Sequence, residues 1–491
     1  MARKPLAHRH PRAPLAPVSP GREICLELAD HSTIVRPAAE FFNLRGSRDP
    51  QAQAARLTDQ FLIQNRTTFE LLQVSVRRDY DGSEVLLLIQ SANAVGAVPL
   101  FSPLNARPDF GLIVQPRFPW AGIGPMLAEM GWLVSPTPLR LPLLRRSQRR
   151  VPPWVLSFMV LSRLKALLDR LNRRFEIATE SLSAPKGSVR WQQYATQELP
   201  RGKFLSIPCT FPDLRDDRQL KGAIRFTIEK QLHSLDTQRQ NGSFVHRLIA
   251  FAETLLLKVQ NAPSRRPAPL EIVSWLRRPL SAESFREGMQ AIDWTIEDRG
   301  LAGLSDLEGI PWSMPMDQFF EAWVETVFRT VAQRAGGILK AGRCRQTVAP
   351  ISWEPPFLGS QKSLVPDLIL ESENCTLIID AKYKRHWEEM EFRSWNLQDD
   401  DLREQHRADL LQVLAYANLT GAGRVVSCLV YPCALPTWES LRSRGRLFHR
   451  ASLPYHSRQV DVWLTAVPMH AQLGPIASPL VEQIRSLTAS G

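Results

Sequence analysis

Two aliphatic runs with charged groups at their ends constrain this chain more than any other stretch. They lie in "VPDLILESENCTLIIDAKYK", residues 365–384, and both read as strands separated by the polar turn "ESEN". Strand side chains alternate faces, so Asp380 and Lys382 point the same way, roughly 7 Å apart along the backbone. Ile379 and Ala381 then point the other way, toward a core. Pro366 cannot donate a ladder hydrogen bond and suits the first residue of a strand or an edge, which puts Asp367 at the start of the first strand. A hairpin of this length returns Asp367 beside Asp380. Two carboxylates and one ammonium then share one small surface.

Two carboxylates held together repel unless a cation neutralises them. Mg²⁺ (or Mn²⁺) takes carboxylate oxygens and completes its shell with water and phosphate. The expected metal positions are Asp367, Asp380 and Ala381. Such an ion polarises a phosphate oxygen and lowers the pKa of an attacking water, while Lys382 orients that water or stabilises the charge that builds. The cluster therefore reads as a phosphodiester hydrolase. The plain alternative is an ordinary hairpin with a surface Asp–Lys pair. A Pro-Asp, a 13-residue spacing, an aliphatic strand and an Asp-x-Lys together are a rarer combination. Glu321, in "FFEAWVE", is the candidate auxiliary carboxylate on the preceding helix, with Glu325 competing for the role. On the following helix Asp409, Gln412 and Tyr416 share one face, where Gln412 and Tyr416 can touch the lysine or a nucleic-acid backbone, or simply pack.

A chain of 491 residues exceeds one ordinary core, and its patterning gives an α+β multidomain fold. Residues 1–22 form a basic, Pro-rich tail. Residues 23–150 are mostly strand-like, with two strands in "FELLQVSVRRDYDGSEVLLLIQ" turning at Asp81-Gly82, another strand at "FGLIVQPRF" and one helix over 51–64. That region ends in "LRRSQRRVPP", where Arg145, Arg146, Arg149 and Arg150 either face phosphate or sit in a solvated linker. Residues 151–310 carry helical periodicity and no catalytic cluster. Residues 311–491 are mixed, with a helix closed by Gly336 and Gly337, then strands, a helix, a strand and a final helix. No GxxxxGK[ST] loop occurs, so the chain has no P-loop nucleotide site of its own. The net charge of +12 favours a polyanion, nucleic acid first. Six scattered cysteines form no CxxC pair, which argues against zinc and makes a reducing cytoplasm the default. No apolar run reaches the ~18 residues of a membrane span.

At this point the residues resemble a known family. "VPDLIL…LIIDAKYK" resembles the PD-(D/E)xK nuclease motif and "DLLQVLAYA" its QxxxY extension. More specifically, the chain is similar to the McrC family, the nuclease subunit of McrBC-type modification-dependent restriction systems. Segments "GAVPLFSPLNARPDFGLIVQPRFPWAGIGPMLAEMGW", "PRGKFLSIPCTFPDLRDDRQLKGAI" and "MDQFFEAWVETVF" extend the likeness over residues 95–435. The resemblance implies a C-terminal restriction-endonuclease-like core over 311–491, with Asp367, Asp380 and Lys382 catalytic and Glu321 auxiliary. It also implies that residues 23–150 dock on a McrB-like AAA+ GTPase or ATPase ring, and that the substrate is double-stranded DNA. The competing readings are a non-catalytic regulator of such a ring and a stand-alone repair nuclease of the same fold.

Overall fold

A computed structural model describes residues 24–44, 48–139, 141–142, 152–171, 174–215, 217–277, 283–301, 309–372, 375–384, 400–455 and 458–489. The basic tail and the arginines Arg145, Arg146, Arg149 and Arg150 lie outside the described residues. The chain is a mixed α/β protein that divides into two compact units, one made of residues 1–152 with 300–491 and the other of residues 153–299.

The second unit is built on the helices Pro153–Asp169, Arg218–Asp236, Ser243–Val259 and Glu283–Ile296, which turn buried apolar faces to one another. Asp217 starts one of them by accepting the Leu220 N–H at 3.0 Å, an N-cap that satisfies an otherwise orphaned donor. Alongside the helices the unit carries a three-stranded sheet, with Ile207–Arg215 between Arg174–Leu182 and Ser188–Val189. Helical periodicity alone did not disclose that sheet.

The first unit contains a five-stranded sheet in the order Ile24–Ala29, Phe110–Gln115, Ala94–Leu100, Trp312–Pro315, Thr137–Pro138. It draws strands from both the region expected to dock and the region expected to hold the nuclease. Trp312 pairs with Ala97 and Ser313 with Gly96. Gly96 has φ +155°, and a Cβ there would lie 2.1 Å from the Trp312 carbonyl oxygen and 2.8 Å from Leu72 Cδ2. Backbone cannot retreat cheaply in a paired sheet, so Gly96→Ala is expected to cost about 3 kcal/mol, read as a lower urea midpoint with unchanged slope.

A second, three-stranded sheet pairs Thr33–Pro37 and Val74–Asp81 with Glu84–Ser91, the last two joined by the turn at Asp81-Gly82. The "FELL" expected in its first strand instead ends the helix Pro50–Leu71. That helix is capped by the Asp49 side chain on the Ala52 N–H, and it buries Phe61 and Phe69, so packing extends it beyond the helix expected over 51–64.

The third sheet holds the aliphatic hairpin. Its order is Ile338–Ala341, Leu368–Glu371, Thr376–Ala381, Arg424–Cys433, Arg458–Pro468, Phe448–Tyr455. Thr376–Ala381 and Arg424–Cys433 run parallel, and the helix Asp400–Ala417 lies between them in the chain, as a parallel crossover requires. Tyr416 and Ala417 of that helix pack on Ile378 and Val425. The helix Met316–Ala335 is buried on most of its circumference, and its Trp323 Nε1 donates to the Pro468 carbonyl at 3.1 Å. Among the described residues no helix is long and apolar enough to cross a membrane.

Candidate active site

The hairpin pairs Leu368 with Ile379, so the next step of the antiparallel register sets Asp367 opposite Asp380. The backbone at Asp367 is pinned from both sides. The Thr347 hydroxyl donates to the Pro366 carbonyl at 2.6 Å, and the Gly342 N–H donates to the Asp367 carbonyl at 2.8 Å. The Asp367 carboxylate itself accepts the Ala381 N–H at 2.8 Å. Asp380 is only 1% exposed, because it shares the face of Ile378, which the helix Asp400–Ala417 covers. Strand alternation predicts a carboxylate on a small shared surface, and the structure buries it.

Lys382 lies on the Asp380 face, as alternation requires. Its Nζ stands 2.7 Å from Asp380 Oδ2 as an ion pair, yet that buried oxygen has no partner in hydrogen-bond geometry. The same Nζ donates to Gln412 Oε1 at 2.9 Å, and Gln412 Nε2 donates to the Tyr416 hydroxyl at 2.9 Å. Thus the helix Asp400–Ala417 delivers Gln412 to the lysine and Tyr416 to the glutamine. Asp409, one turn earlier, is held instead by Lys384 at 2.6 Å and by the Tyr431 hydroxyl at 3.1 Å. Lys384 was missed in the sequence, although it continues the same alternation two residues beyond Lys382.

The two glutamates of the preceding helix separate clearly. Glu325 is 3% exposed and is bound by the Arg343 guanidinium at 3.1 and 3.0 Å and by Arg329. It is a structural ion cluster. Glu321 carries no such clamp and feels the site electrostatically. Burial, then Asp317, raise its pKa to about 7, with Asp380 adding to the rise and Lys382 opposing it. Burial, then Asp380 and Glu321, push Asp367 up to about 8. Burial also raises Asp380, against the pull of Lys382. Burial by itself would lower Lys382, but Asp380 and Asp367 outweigh it and hold the ammonium charged. Among the described residues the cluster is short of positive charge: Lys382, with Lys384 farther off, does not offset the repulsion that raises Asp367, Asp380 and Glu321. Among the described residues no three His, Cys, Asp or Glu side chains lie close enough to hold a metal by themselves.

Residues 304–432 match the family described as McrBC 5-methylcytosine restriction system component, a segment containing every residue of this cluster. Over that segment the match agrees with the likeness to McrBC-type restriction systems read from the sequence. No characterised protein sequence matches the chain at a significant level. Two solved structures are similar to it. One is a refined half-complex from a tetradecameric assembly of Thermococcus gammatolerans McrB AAA+ hexamers with bound McrC. It is 15% identical over 95% of this chain and 100% of that one, with a TM-score of 0.41. The other, the Thermococcus gammatolerans McrBC complex, is 14% identical over 62% of this chain and 88% of that one, with a TM-score of 0.26.

Proposed function

We propose that the chain is a McrC-like, metal-dependent endodeoxyribonuclease subunit with a PD-(D/E)xK core. In this reading it cuts double-stranded DNA together with a McrB-like AAA+ NTPase ring, in restriction of foreign or modified DNA. The observation that carries the proposal is the pairing of Asp367 with Asp380 across the hairpin while Lys382 is held on the same face by Asp380 and Gln412. The match to a restriction-system family over 304–432 supports it, as do the missing P-loop motif and the net charge of +12.

The donor set fits a hard divalent cation. Asp380 Oδ2 is buried beside the Lys382 ammonium at 2.7 Å but outside hydrogen-bond geometry, and three carboxyls there are driven toward protonation. Asp367, Asp380 and the backbone carbonyl of Ala381 would hold Mg²⁺ or Mn²⁺, with Glu321 outside that ligand set as an auxiliary carboxylate toward a bound water. When bound, the ion would polarise a phosphate oxygen and make a bound water more acidic. Lys382, charged and held by Gln412, would orient the attacking water and stabilise the charge that grows on the phosphate. Gln412 and Tyr416 fix the lysine rotamer.

The test reconstitutes the chain with its AAA+ partner and duplex DNA, with and without Mg²⁺, and follows the chain's melting temperature. Cleavage is expected with Mg²⁺ and is expected to stop on chelation. Stimulated NTP hydrolysis with no cleavage would overturn the proposal in favour of a non-catalytic regulator. The pH dependence has a definite sign. Carboxyls ordinarily titrate near ~4, and here the folded values of Asp367 and Glu321 are raised to about 8 and about 7. The folded chain therefore binds more protons than the unfolded chain across that window, and its metal-free stability falls as pH rises through it. A divalent cation competes with those protons and binds better at high pH. Mg²⁺ is expected to raise the melting temperature more at about pH 8 than at about pH 6; equal shifts would count against the assigned ligands.

A further inference from the structure

We infer that Tyr383, gripped by Asp30 and Arg117 of the N-terminal sheet, is a positioning residue that holds the end of the strand bearing Asp380 and Lys382. The inference rests on the nuclease reading and deepens it.

The regular ladder of Thr376–Ala381 ends at Ala381, and among the described residues two further backbone bonds involve Lys382: its N–H donates to the Val430 carbonyl and its carbonyl accepts the Lys384 N–H, both at 2.9 Å. Side chains add the remaining hold on residues 382–384. Lys382 and Tyr383 are consecutive and take separate partners. Lys382 turns to Asp380 and Gln412, while the Tyr383 hydroxyl donates to Asp30 Oδ2 at 2.5 Å. Tyr383 is 3% exposed and Asp30 2%.

Asp30 is itself fixed. It follows the strand Ile24–Ala29, its N–H donates to the Gln115 carbonyl at 2.8 Å, and its Oδ1 accepts the Arg117 backbone N–H at 2.7 Å. The Arg117 guanidinium lies 4.4 Å over the Tyr383 ring, with its Nε 3.9 Å from Asp30 Oδ2. His31, Phe118 and Phe320 complete the ring's surroundings, with centroids 5.7, 6.3 and 6.1 Å away. Phe320 precedes Glu321 in the chain, as Tyr383 follows Lys382. One cluster thus braces the immediate neighbours of two candidate site residues. Both Asp30 oxygens and the Tyr383 hydroxyl are paired, so a shift strands them, while the Arg117 guanidinium, whose buried nitrogens have no hydrogen-bond partner, holds the ring by stacking and charge. The N-terminal sheet is therefore part of the frame of the site.

Tyr383→Phe removes only the hydroxyl and Asp30→Asn only the charge. Each is compared with the wild-type chain and with Asp380→Ala, in complex with the AAA+ partner and Mg²⁺. If the inference holds, each lowers kcat for cleavage on the order of 10- to 100-fold, leaving KM for DNA and stimulation of NTP hydrolysis unchanged. A second readout needs no cleavage. Reductive methylation of lysines, read by mass spectrometry, is expected to label Lys382 several-fold faster in both variants, with Lys340 and Lys258 unchanged. A structural role alone would speed all three. If wild type cuts, Asp380→Ala does not, and both variants cut and label like wild type, the positioning role is wrong and the nuclease reading stands. If Asp380→Ala cuts like wild type, the nuclease reading falls. The labelling of Lys382 then decides alone, and no change in it overturns the inference.

Discussion

Asp380→Asn is expected to lower DNA cleavage on the order of 10³-fold or more while leaving the melting temperature unchanged or raised. The two halves of that result come from one cause. Asp380 is buried against Asp367 and within reach of Glu321, and burial makes its charge costly. An amide of the same shape removes one of three repelling charges. Lys382 keeps Gln412 as a hydrogen-bond partner, and Asp367, freed of its repulsion from Asp380, ionises more readily as its counter-charge. What is lost is an anionic ligand for the cation, and with it several kcal/mol of transition-state stabilisation. Binding to the AAA+ partner is expected to be normal. Full-rate cleavage by the variant with partner and Mg²⁺ would remove Asp380 from the site, and a collapse in melting temperature would show that its charge is structural.

The second large effect is expected from dividing the chain. A fragment of residues 300–491 contains every candidate catalytic residue and is expected not to fold. Trp312 and Met314, 2% and 0% exposed, lie in a strand whose partner on one edge is Ala94–Leu100. Trp120 packs on Trp312 with ring centroids 5.9 Å apart, and Tyr383 would lose Asp30 and Arg117. Exposing a large apolar side chain costs about 1.5–3 kcal/mol. Several together rival the roughly 5–15 kcal/mol that stabilises a whole domain. Near-ultraviolet circular dichroism with a thermal melt checks this: no fixed aromatic signal and no cooperative transition are expected. A soluble fragment that melts sharply and binds Mg²⁺ would show the nuclease region to be self-sufficient. Loss of cleavage after removing residues 1–150 is therefore no proof of lost docking, because the same cut removes Asp30 and Arg117.

The local parts of the site were legible because strand alternation and hairpin register are local rules. Asp367, Asp380 and Lys382 follow from the spacing of one hairpin, and Gln412 and Tyr416 from one helix face. The choice between Glu321 and Glu325 was not legible, since both sit on one helix within a turn of each other. Arg343, from the short 3-10 turn Gly342–Cys344 after the strand Ile338–Ala341, decides it. The burial of Asp380 was hidden for a similar reason, because the helix Asp400–Ala417 that covers its face comes from another segment of the chain. Tyr383 and Asp30 stand 353 residues apart, and no periodicity connects them. The sheet of Arg174–Arg215 escaped because neighbouring helices dominate the patterning and prolines interrupt its strand Ile207–Arg215.

The pairing of Trp312 with Ala97 also sets a timetable for synthesis. The ribosome releases residues 153–299 as a continuous stretch, and this unit has all its helices and strands within that stretch. It can close while the rest of the chain is still being made. The five-stranded sheet cannot, because one of its strands emerges only after that stretch has left the ribosome. The hairpin with Asp367 and Asp380 comes later still, and the Asp30–Tyr383 contact later again. A nascent chain therefore assembles the candidate site residues only after the strands Trp312–Pro315 and Arg424–Cys433 have emerged, when the surfaces that restrain them are already in place.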